Sequence, residues 1–129
     1  MAKLEKFEDM EVWQKARKLC NDIYPLTLKG SFATDFKLRD QINGSSGSVM
    51  DNIAEGFERD GRIEFRQFLS IAKGSSGEVR SQLCRASDRN HITLNEFEGL
   101  KLQAEEISKQ LKGFISYLNA SEFKGTKFK

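Results

Sequence analysis

The sequence is poor in the residues that build catalytic and metal centres. It has one histidine, His91, and two cysteines, Cys20 and Cys84, among 129 residues. A di-metal carboxylate site in a helical bundle needs Glu-x-x-His on two helices, which a single histidine excludes. Neither cysteine has a histidine or lysine at helical contact spacing, so no nucleophile–base pair is indicated. We therefore predict no catalytic residue, no metal ligand and no cofactor, and a protein that is not an enzyme.

Long apolar runs and targeting signals are also lacking. No apolar run approaches the roughly 20 residues that a membrane-spanning helix needs, and the first residues lack the apolar core of a signal peptide. These absences predict a cytoplasmic protein with no membrane contact. Both cysteines fall within apolar helical stripes, which favours two buried, reduced thiols over the alternative of a disulfide.

Proline occurs once, at Pro25, which leaves almost the whole chain free to form long helices. Apolar residues recur at helical spacing in four segments, and no segment has a convincing strand pattern. The sequence predicts one all-α domain over residues 1–129, an antiparallel up-down-up-down four-helix bundle. Its helices are expected at about 8–28, 34–58, 62–90 and 94–119, followed by a basic tail at 120–129.

The last helix has the clearest pattern and the first has the least clear. Thr93 and Glu96 fit a capping box at the start of the last helix. In the first helix, Pro25 disfavours continuous α geometry. Either this helix ends near Asp22 or it kinks and runs on to Gly30, and we favour the kink. The apolar residues of the last helix follow spacings of 3, 4, 3, 4, 3 and 4: Phe97, Leu100, Ala104, Ile107, Leu111, Phe114 and Leu118.

Two Gly-Ser-Ser-Gly tetrapeptides, at 44–47 and 74–77, lie within the second and third helical segments. Composition alone is typical of flexible linkers, but the apolar period passes through both tetrapeptides without a change of phase. Their midpoint falls at the Asp60-Gly61 turn, so in a hairpin they face each other at the same height. We predict that both are helical and that their glycines permit the closest helix crossing in the bundle. That contact would offset about 1 kcal/mol of lost helix propensity per glycine.

Positive charge is unevenly placed along the chain, although the net charge is only +2. Residues 109–129 hold five lysines and one glutamate, and Arg62, Arg66, Lys73 and Arg80 form one line on the third helix. Arginine suits phosphate contacts, whereas the acidic residues interspersed on that helix favour an ordinary salt-bridged face. The candidate phosphate-contacting residues are Arg59, Arg62, Arg66, Arg80, Lys109 and Lys112.

Polar and apolar residues in unexpected places form two further groups. Asn52, Glu55 and Glu78 are interpreted as a structural polar motif that holds the helices in register, the alternative being a patch that meets a partner. The second group consists of apolar residues beyond the needs of one core, which predict self-association. Its members are Trp13, Phe32, Phe36, Phe57, Leu69, Ile71 and Tyr117.

Several strings, in order and spacing, resemble a known family. They are Val12-Trp13-Gln14-Lys15-Ala16, Gln41-Ile42, Asn52-Ile53-Ala54-Glu55-Gly56-Phe57 and Phe68-Leu69-Ser70-Ile71-Ala72-Lys73-Gly74-Ser75, followed by Glu78. Over residues 7–118 the chain resembles the four-helix-bundle proteins encoded in intervening sequences of bacterial 23S rRNA genes. The same superfamily contains the accessory variability proteins of diversity-generating retroelements.

The resemblance implies an up-down four-helix bundle that assembles into a ring-like homopentamer, with no attributed enzymatic activity. For the accessory branch it also implies nucleic-acid binding and contact with a reverse transcriptase. Where relatives usually have Arg-Arg-Ala-Ala after Gln-Ile, this chain has Asn43-Gly44-Ser45-Ser46, so two basic groups are missing. We predict a non-enzymatic oligomeric binding module that contacts RNA or a nucleoprotein. The alternative is a protein-interaction adaptor that touches no nucleic acid.

Overall fold

A computed structural model describes residues 4–120, and within this range all regular structure is helical. The long helices are α1 (Glu11–Ile23), α3 (Phe36–Glu58), α4 (Arg62–Asp88) and α5 (Leu94–Ala120), and a short helix α2 (Gly30–Thr34) lies between α1 and α3. Two 3₁₀ turns, Phe7–Asp9 and Tyr24–Leu28, flank α1. The predicted all-α bundle is confirmed. The predicted basic tail, apart from Ala120, lies outside the described residues.

The four long helices pack as a closed square in which each helix contacts two antiparallel neighbours. Helix α1 packs against α3 and α5, and α4 packs against the same two helices from the opposite side. Short connections at residues 59–61 and 89–93 join α3 to α4 and α4 to α5, which is typical of antiparallel helix pairs. In the described part of the chain, no helix is long and apolar enough to cross a membrane.

Helix α5 follows its predicted pattern closely. Five of the seven seam residues are buried, and Phe97 and Phe114 pack against the core while remaining partly exposed. The capping box is present: the Thr93 backbone N–H donates to Glu96 Oε1 at 2.8 Å, and the Glu96 N–H donates to Thr93 Oγ1 at 3.1 Å. These reciprocal bonds satisfy donors that the first helical turn leaves without partners, so they set the start of α5.

The favoured kink at Pro25 is wrong. Helix α1 ends at Ile23, and the chain continues as the 3₁₀ turn Tyr24–Leu28 with the proline near its start, where its missing N–H costs little. Thr27 fixes this turn, since its buried hydroxyl donates to the Tyr24 carbonyl at 2.7 Å and accepts from Asn43 Nδ2 at 3.0 Å. The alternative, a helix that ends near Asp22, agrees with the structure to within one residue, and a 3₁₀ turn follows that end.

A polar network closes the end of the bundle where α3 and α5 begin. Asp35 Oδ2 lies 2.8 Å from His91 Nε2 and accepts from Arg89 Nη1 at 2.8 Å, while His91 Nδ1 lies 2.7 Å from Ser31 Oγ. The His91 ring also stacks on Phe32, with 5.0 Å between ring centroids. The hydrogen bonds from His91 and from Arg89 lower the pKa of Asp35 from 3.8 to about 2.

Most of the apolar residues assigned to a second face belong to the core. Trp13, Phe32, Phe57 and Leu69 are buried, and Tyr117 is half-buried against the core. Only Phe36 and Ile71 of that group are more than half exposed. The short helix α2 adds Phe32 to the core that the four long helices form.

One cysteine also departs from its predicted position. Cys20 is half-buried, and its sulfur accepts from the Ser46 hydroxyl at 3.8 Å, but Cys84 is exposed. Leu83 and Ala86 occupy the inward positions on that part of α4, and Cys84 lies 100° beyond Leu83 on the outer side. Both cysteines are free thiols, so the preference for reduced cysteines over a disulfide agrees with the structure while the burial of Cys84 does not.

Candidate nucleic-acid interface

The two Gly-Ser-Ser-Gly tetrapeptides are helical and lie at similar height in the α3–α4 hairpin, as predicted, where Ser75 of the second meets α3. Ser48, one residue past the first tetrapeptide, lies 3.0 Å from Ser75, hydroxyl to hydroxyl. Ser46 and Ser76 are buried, and Ser76 donates to the Ala104 carbonyl of α5 at 2.9 Å. The hydroxyls thus satisfy one another and the backbone inside the helix contacts.

The glycines of the tetrapeptides point away from the hairpin, contrary to prediction. A Cβ added at Gly44, Gly47, Gly74 or Gly77 would meet nothing within 4 Å. Each therefore costs about 1 kcal/mol of helix propensity without a compensating contact inside the described chain. The glycine that does permit a close approach is Gly56, where an added Cβ would lie 2.6 Å from Phe68 Cβ.

The three residues of the polar motif, Asn52, Glu55 and Glu78, have different surroundings in the structure. Asn52 Nδ2 donates to the Ser48 carbonyl and hydroxyl, both at 2.8 Å, and so continues the hydrogen-bond chain to α4. Glu55 pairs with Arg59 at 3.0 Å, one turn along α3. Glu78 is exposed, and within residues 4–120 it has no hydrogen bond or ion pair. Of the three positions, Asn52 is therefore linked to α4 through Ser48, whereas the pair of Glu55 with Arg59 lies within one helical turn.

The candidate cations of α4 lie on the side of that helix that adjoins α5. Arg66 donates through Nη1 to Asn119 Oδ1 of α5, and positions 66, 73 and 80 repeat every seven residues along the same flank. Arg62 lies one turn before Arg66 on this line. Arg80 is half-buried, and its Nε is buried without a hydrogen-bond partner in the described part of the chain.

Lys112 joins this line from α5, and Lys109 lies beside it, nearer to solvent. On α5, Ser108 donates to Ser76 at 3.1 Å and Asn119 accepts from Arg66, so both mark the flank that adjoins α4. Lys112 falls between these two positions at helical spacing. Lys109 lies three residues before Lys112, a net offset of 60° around α5, so it adjoins this line on its solvent side. We define the basic surface as Arg62, Arg66, Lys73, Arg80 and Lys112.

Arg59 is separated from the basic surface by its position and by its ion pairs. It follows α3 and contacts two carboxylates, Glu55 at 3.0 Å and Glu64 at 3.8 Å, with its guanidinium 5.2 Å from the Phe68 ring centroid. Its charge is therefore largely compensated within the hairpin. Lys73 and Lys112, in contrast, are exposed and have no carboxylate within 4.0 Å among the described residues.

The sequence-derived list of phosphate contacts omitted Lys73, although the spacing of the line includes it. The line alone could have added it, since positions 66, 73 and 80 share one face of a helix.

Around the outer side of α4 the basic surface borders a row of small residues at spacings of 4, 3 and 4. We define this glycine–serine stripe as Ser70, Gly74, Gly77 and Ser81; it is exposed except at Gly77, which is half-buried.

The outer side of α3 has the opposite charge. Four exposed carboxylates lie along it, at Asp40, Asp51, Glu55 and Glu58, of which Glu55 is paired with Arg59. The outer face of α3 would repel a polyanion, whereas the line of cations on α4 would attract one. In addition, the described residues include no group of three His, Cys, Asp or Glu side chains that could hold a metal ion.

Comparison with known proteins supports the fold and identifies the family. A family model described as 23S rRNA-intervening sequence protein matches residues 8–113. The chain is also similar to a solved structure from Bacteroides thetaiotaomicron VPI-5482, described as a protein with unknown function from the S23 ribosomal protein family. The two are 25% identical with a TM-score of 0.74, and the match covers 81% of this chain and 97% of that one. No curated protein matches the sequence.

The matched range contains the whole α3–α4 hairpin, with both tetrapeptides and the α4 line of the basic surface. The family-model match spans most of the described helices, and the structural similarity extends over most of the chain. The chain belongs to the 23S rRNA-intervening sequence protein family.

Proposed function

We propose that this protein is a non-enzymatic, oligomeric module of the cytoplasm that binds RNA, free or within a nucleoprotein, by contacting its phosphates. The observation that carries the proposal is the basic surface, in which four cations in line on α4 adjoin Lys112 of α5. Two of these cations, Lys73 and Lys112, are exposed and have no described carboxylate partner, so a phosphate would not have to displace an existing ion pair.

The physical basis of such binding is the release of counterions from the nucleic acid. Each phosphate that a lysine or arginine neutralises frees condensed cations, and the logarithm of the binding constant falls linearly with the logarithm of salt concentration. On a single strand the slope is about −0.7 per neutralised phosphate, and on a B-form duplex it is about −0.9. Full use of the five cations predicts a slope between about −3.5 and about −4.5.

The decisive experiment removes two charges from the basic surface and two from elsewhere. Lys73→Gln with Lys112→Gln should reduce the magnitude of the salt slope by about 2, about one per lysine. The matched control is Lys29→Gln with Lys37→Gln, which changes net charge equally at two exposed positions near the α2–α3 junction. The slope is measured by fluorescence anisotropy of labelled RNA from about 50 mM to about 200 mM salt.

Three outcomes would contradict the proposal. The first is an absence of RNA binding at about 50 mM salt, and the second is binding that does not depend on salt. The third is an equal loss of slope in both double variants, because a general effect of net charge would then explain the binding without a localised surface.

A protein-interaction adaptor is the second candidate, and a separate observation favours it. Phe36 and Leu94, at the starts of α3 and α5, are 61% and 66% exposed, and Tyr24 and Leu28 are exposed at the same end of the bundle. Large apolar side chains concentrated at one end are typical of a protein-binding surface. If the protein binds no RNA while Phe36→Ser with Leu94→Ser disrupts its self-association, the adaptor function is the better description.

Self-association is part of the proposal, with a homopentamer as the expected assembly because of the family resemblance. Light scattering should give a mass near five times the 14.7 kDa of one chain. A monomer mass over the working concentration range would remove the ring. A reverse transcriptase is the partner implied for the accessory branch. A pull-down assay with the two purified proteins, at low and at high salt, would test that contact.

A further inference from the structure

The basic surface has no platform on which unpaired bases could stack. No aromatic side chain of α4 or of α5, within the described residues, is fully exposed: Phe65 is buried, and Phe68, Phe97, Phe114 and Tyr117 are half-buried. Phe65 and Phe114 pack edge to face with 5.3 Å between ring centroids. The more than half exposed aromatic residues within 4–120, Tyr24 and Phe36, lie at one end of the bundle, away from this surface. Proteins that bind single strands combine a basic groove with exposed aromatic rings, and only the first component is present.

The shape of the surface suits a broad, regular backbone instead. The line from Arg62 to Arg80 covers 18 helical steps, or about 27 Å, which is the length of about eight base-pair steps of B-form DNA and of somewhat more steps of an A-form duplex. Beside this line, the short side chains of the glycine–serine stripe leave the α4 backbone open, with nothing within 4 Å of a Cβ added at Gly74 or Gly77. Ser70 and Ser81 are exposed at the two ends of the stripe, where their hydroxyls can donate to phosphates or exchange hydrogen bonds with ribose 2′-hydroxyls.

We propose that the ligand of the basic surface is double-helical RNA, held by its sugar–phosphate backbone with the glycine–serine stripe in close contact. This inference rests on the proposed RNA-binding function and specifies its substrate class. The A-form duplex has a wide, shallow minor groove lined with 2′-hydroxyls, which a smooth helix face with short hydroxyl side chains can approach. Side chains as short as glycine and serine do not reach base edges in a deep groove, so binding is expected to be independent of sequence.

The charge of the neighbouring helix limits where the duplex can lie. Exposed carboxylates lie on the outer side of α3, the helix that packs on the other flank of α4, at Asp40, Asp51 and Glu58. A duplex centred on α4 is therefore expected to extend over α5 and not over α3. Lys112 lies on the favoured side, and its position supports a footprint that includes both helices.

The first test compares the full-length protein's affinity for a 16-base-pair RNA duplex and for one of its strands in the same buffer. We expect the duplex to bind at least about tenfold more tightly, since the surface lacks the stacking contribution that single strands require. Equal or tighter binding of the single strand would overturn the duplex inference while leaving the proposed RNA-binding function intact. Absence of binding to either RNA would overturn both.

The second test uses the glycines as a matched pair of sites. Gly74→Gln with Gly77→Gln puts two bulky neutral side chains onto the stripe, and Gly44→Gln with Gly47→Gln puts the same groups onto α3. All four positions have open space around an added Cβ, and glutamine favours helix more than glycine, so both variants should fold. We expect the α4 variant to weaken duplex binding about tenfold and the α3 variant to leave it within about twofold. Equal binding by both variants, with circular dichroism unchanged, would overturn the close contact of the stripe.

Discussion

Replacing Gly56 by alanine should push α3 and α4 apart and destabilise the bundle. The added Cβ would lie 2.6 Å from Phe68 Cβ, 3.0 Å from Phe65 Cδ1 and 3.5 Å from the Phe65 carbonyl oxygen. Carbon atoms in contact prefer a separation of about 3.5 to 4.0 Å, so the first of these distances is short by about 1 Å. Phe68 Cβ is attached directly to the α4 backbone, and a rotation of its side chain cannot relieve the overlap.

The expected magnitude follows from two opposing contributions. Forcing an extra carbon into a packed core costs about 1 to 3 kcal/mol, and replacing glycine by alanine within a helix gains up to about 1 kcal/mol. The net effect at Gly56 is a loss of about 1 to 2 kcal/mol. At Gly77 the same substitution meets nothing within 4 Å, so only the gain remains. The two variants should therefore differ by about 2 to 3 kcal/mol with opposite signs relative to the natural sequence.

Urea unfolding at fixed protein concentration is the appropriate assay, because self-association would otherwise couple stability to concentration. The midpoint should fall for Gly56→Ala and rise for Gly77→Ala, with slopes that remain equal. A Gly56→Ala protein as stable as the natural one would refute the steric reasoning. A destabilised Gly77→Ala protein would show that this glycine has a packing role within the fold.

Three further predictions concern the bundle ends and the thiols. Asp35 has a folded-state pKa of about 2 against an ordinary value of 3.8. Its contribution to the free energy of unfolding is therefore present above pH 3.8 and is lost as the pH falls toward 2. The urea midpoint of Asp35→Asn should not show this part of the decrease at acid pH. Thr93→Ala should cost about 1 kcal/mol by removing the hydroxyl of the capping box, and an unchanged urea midpoint would contradict that role. Cys84 should react rapidly with Ellman's reagent in the native protein and Cys20 more slowly, so two equally fast thiols would contradict the burial difference.

How much of the fold could be predicted depends on how strongly each segment is patterned. Helix α5 was predicted within one residue at either end because seven apolar residues repeat without interruption and a capping box marks its start. The chain around Pro25 could not be predicted in the same way. The choice of a 3₁₀ turn depends on the bond between Thr27 and Asn43, which joins elements that are 16 residues apart.

The rotation of α3 and α4 was the harder feature, because small residues carry little hydrophobic signal. A stripe through Ser45 and Asn52 and a stripe through Ser46 and Ile53 both contain Val49 and fit a helical period. The exchanged residues, Ser45 for Ser46 and Asn52 for Ile53, are each 100° apart, and the structure has the second stripe, with Ser46 and Ile53 buried. Gly44 and Gly47 belong to neither stripe.

The candidate interface was predictable along one helix but not across two. Spacing alone identifies the line from Arg62 to Arg80, since residues seven apart share a face. It does not identify which flank of α5 adjoins α4, because that flank depends on how the helices are arranged around the square. The contacts of Ser108 and Asn119 with α4 supply this information, and Lys112 lies between these two positions on the same flank.

The outward-facing glycines link the stability of the protein to its RNA affinity. This link distinguishes a functional surface from a chance feature of the sequence. Residues that lower helix stability without a compensating contact inside the fold are expected at functional sites. At such sites, stability is lost in exchange for contact with another molecule. Substitution of Gly74 and Gly77 should then raise stability and lower RNA affinity together. Nothing in the described structure explains Gly44 and Gly47, and their substitution should raise stability with no change in RNA affinity. If the stripe had no function, substitution at all four glycines would raise stability and leave RNA affinity unchanged. A loss of RNA affinity that accompanies the gain in stability on α4 therefore decides whether the stripe belongs to the binding site.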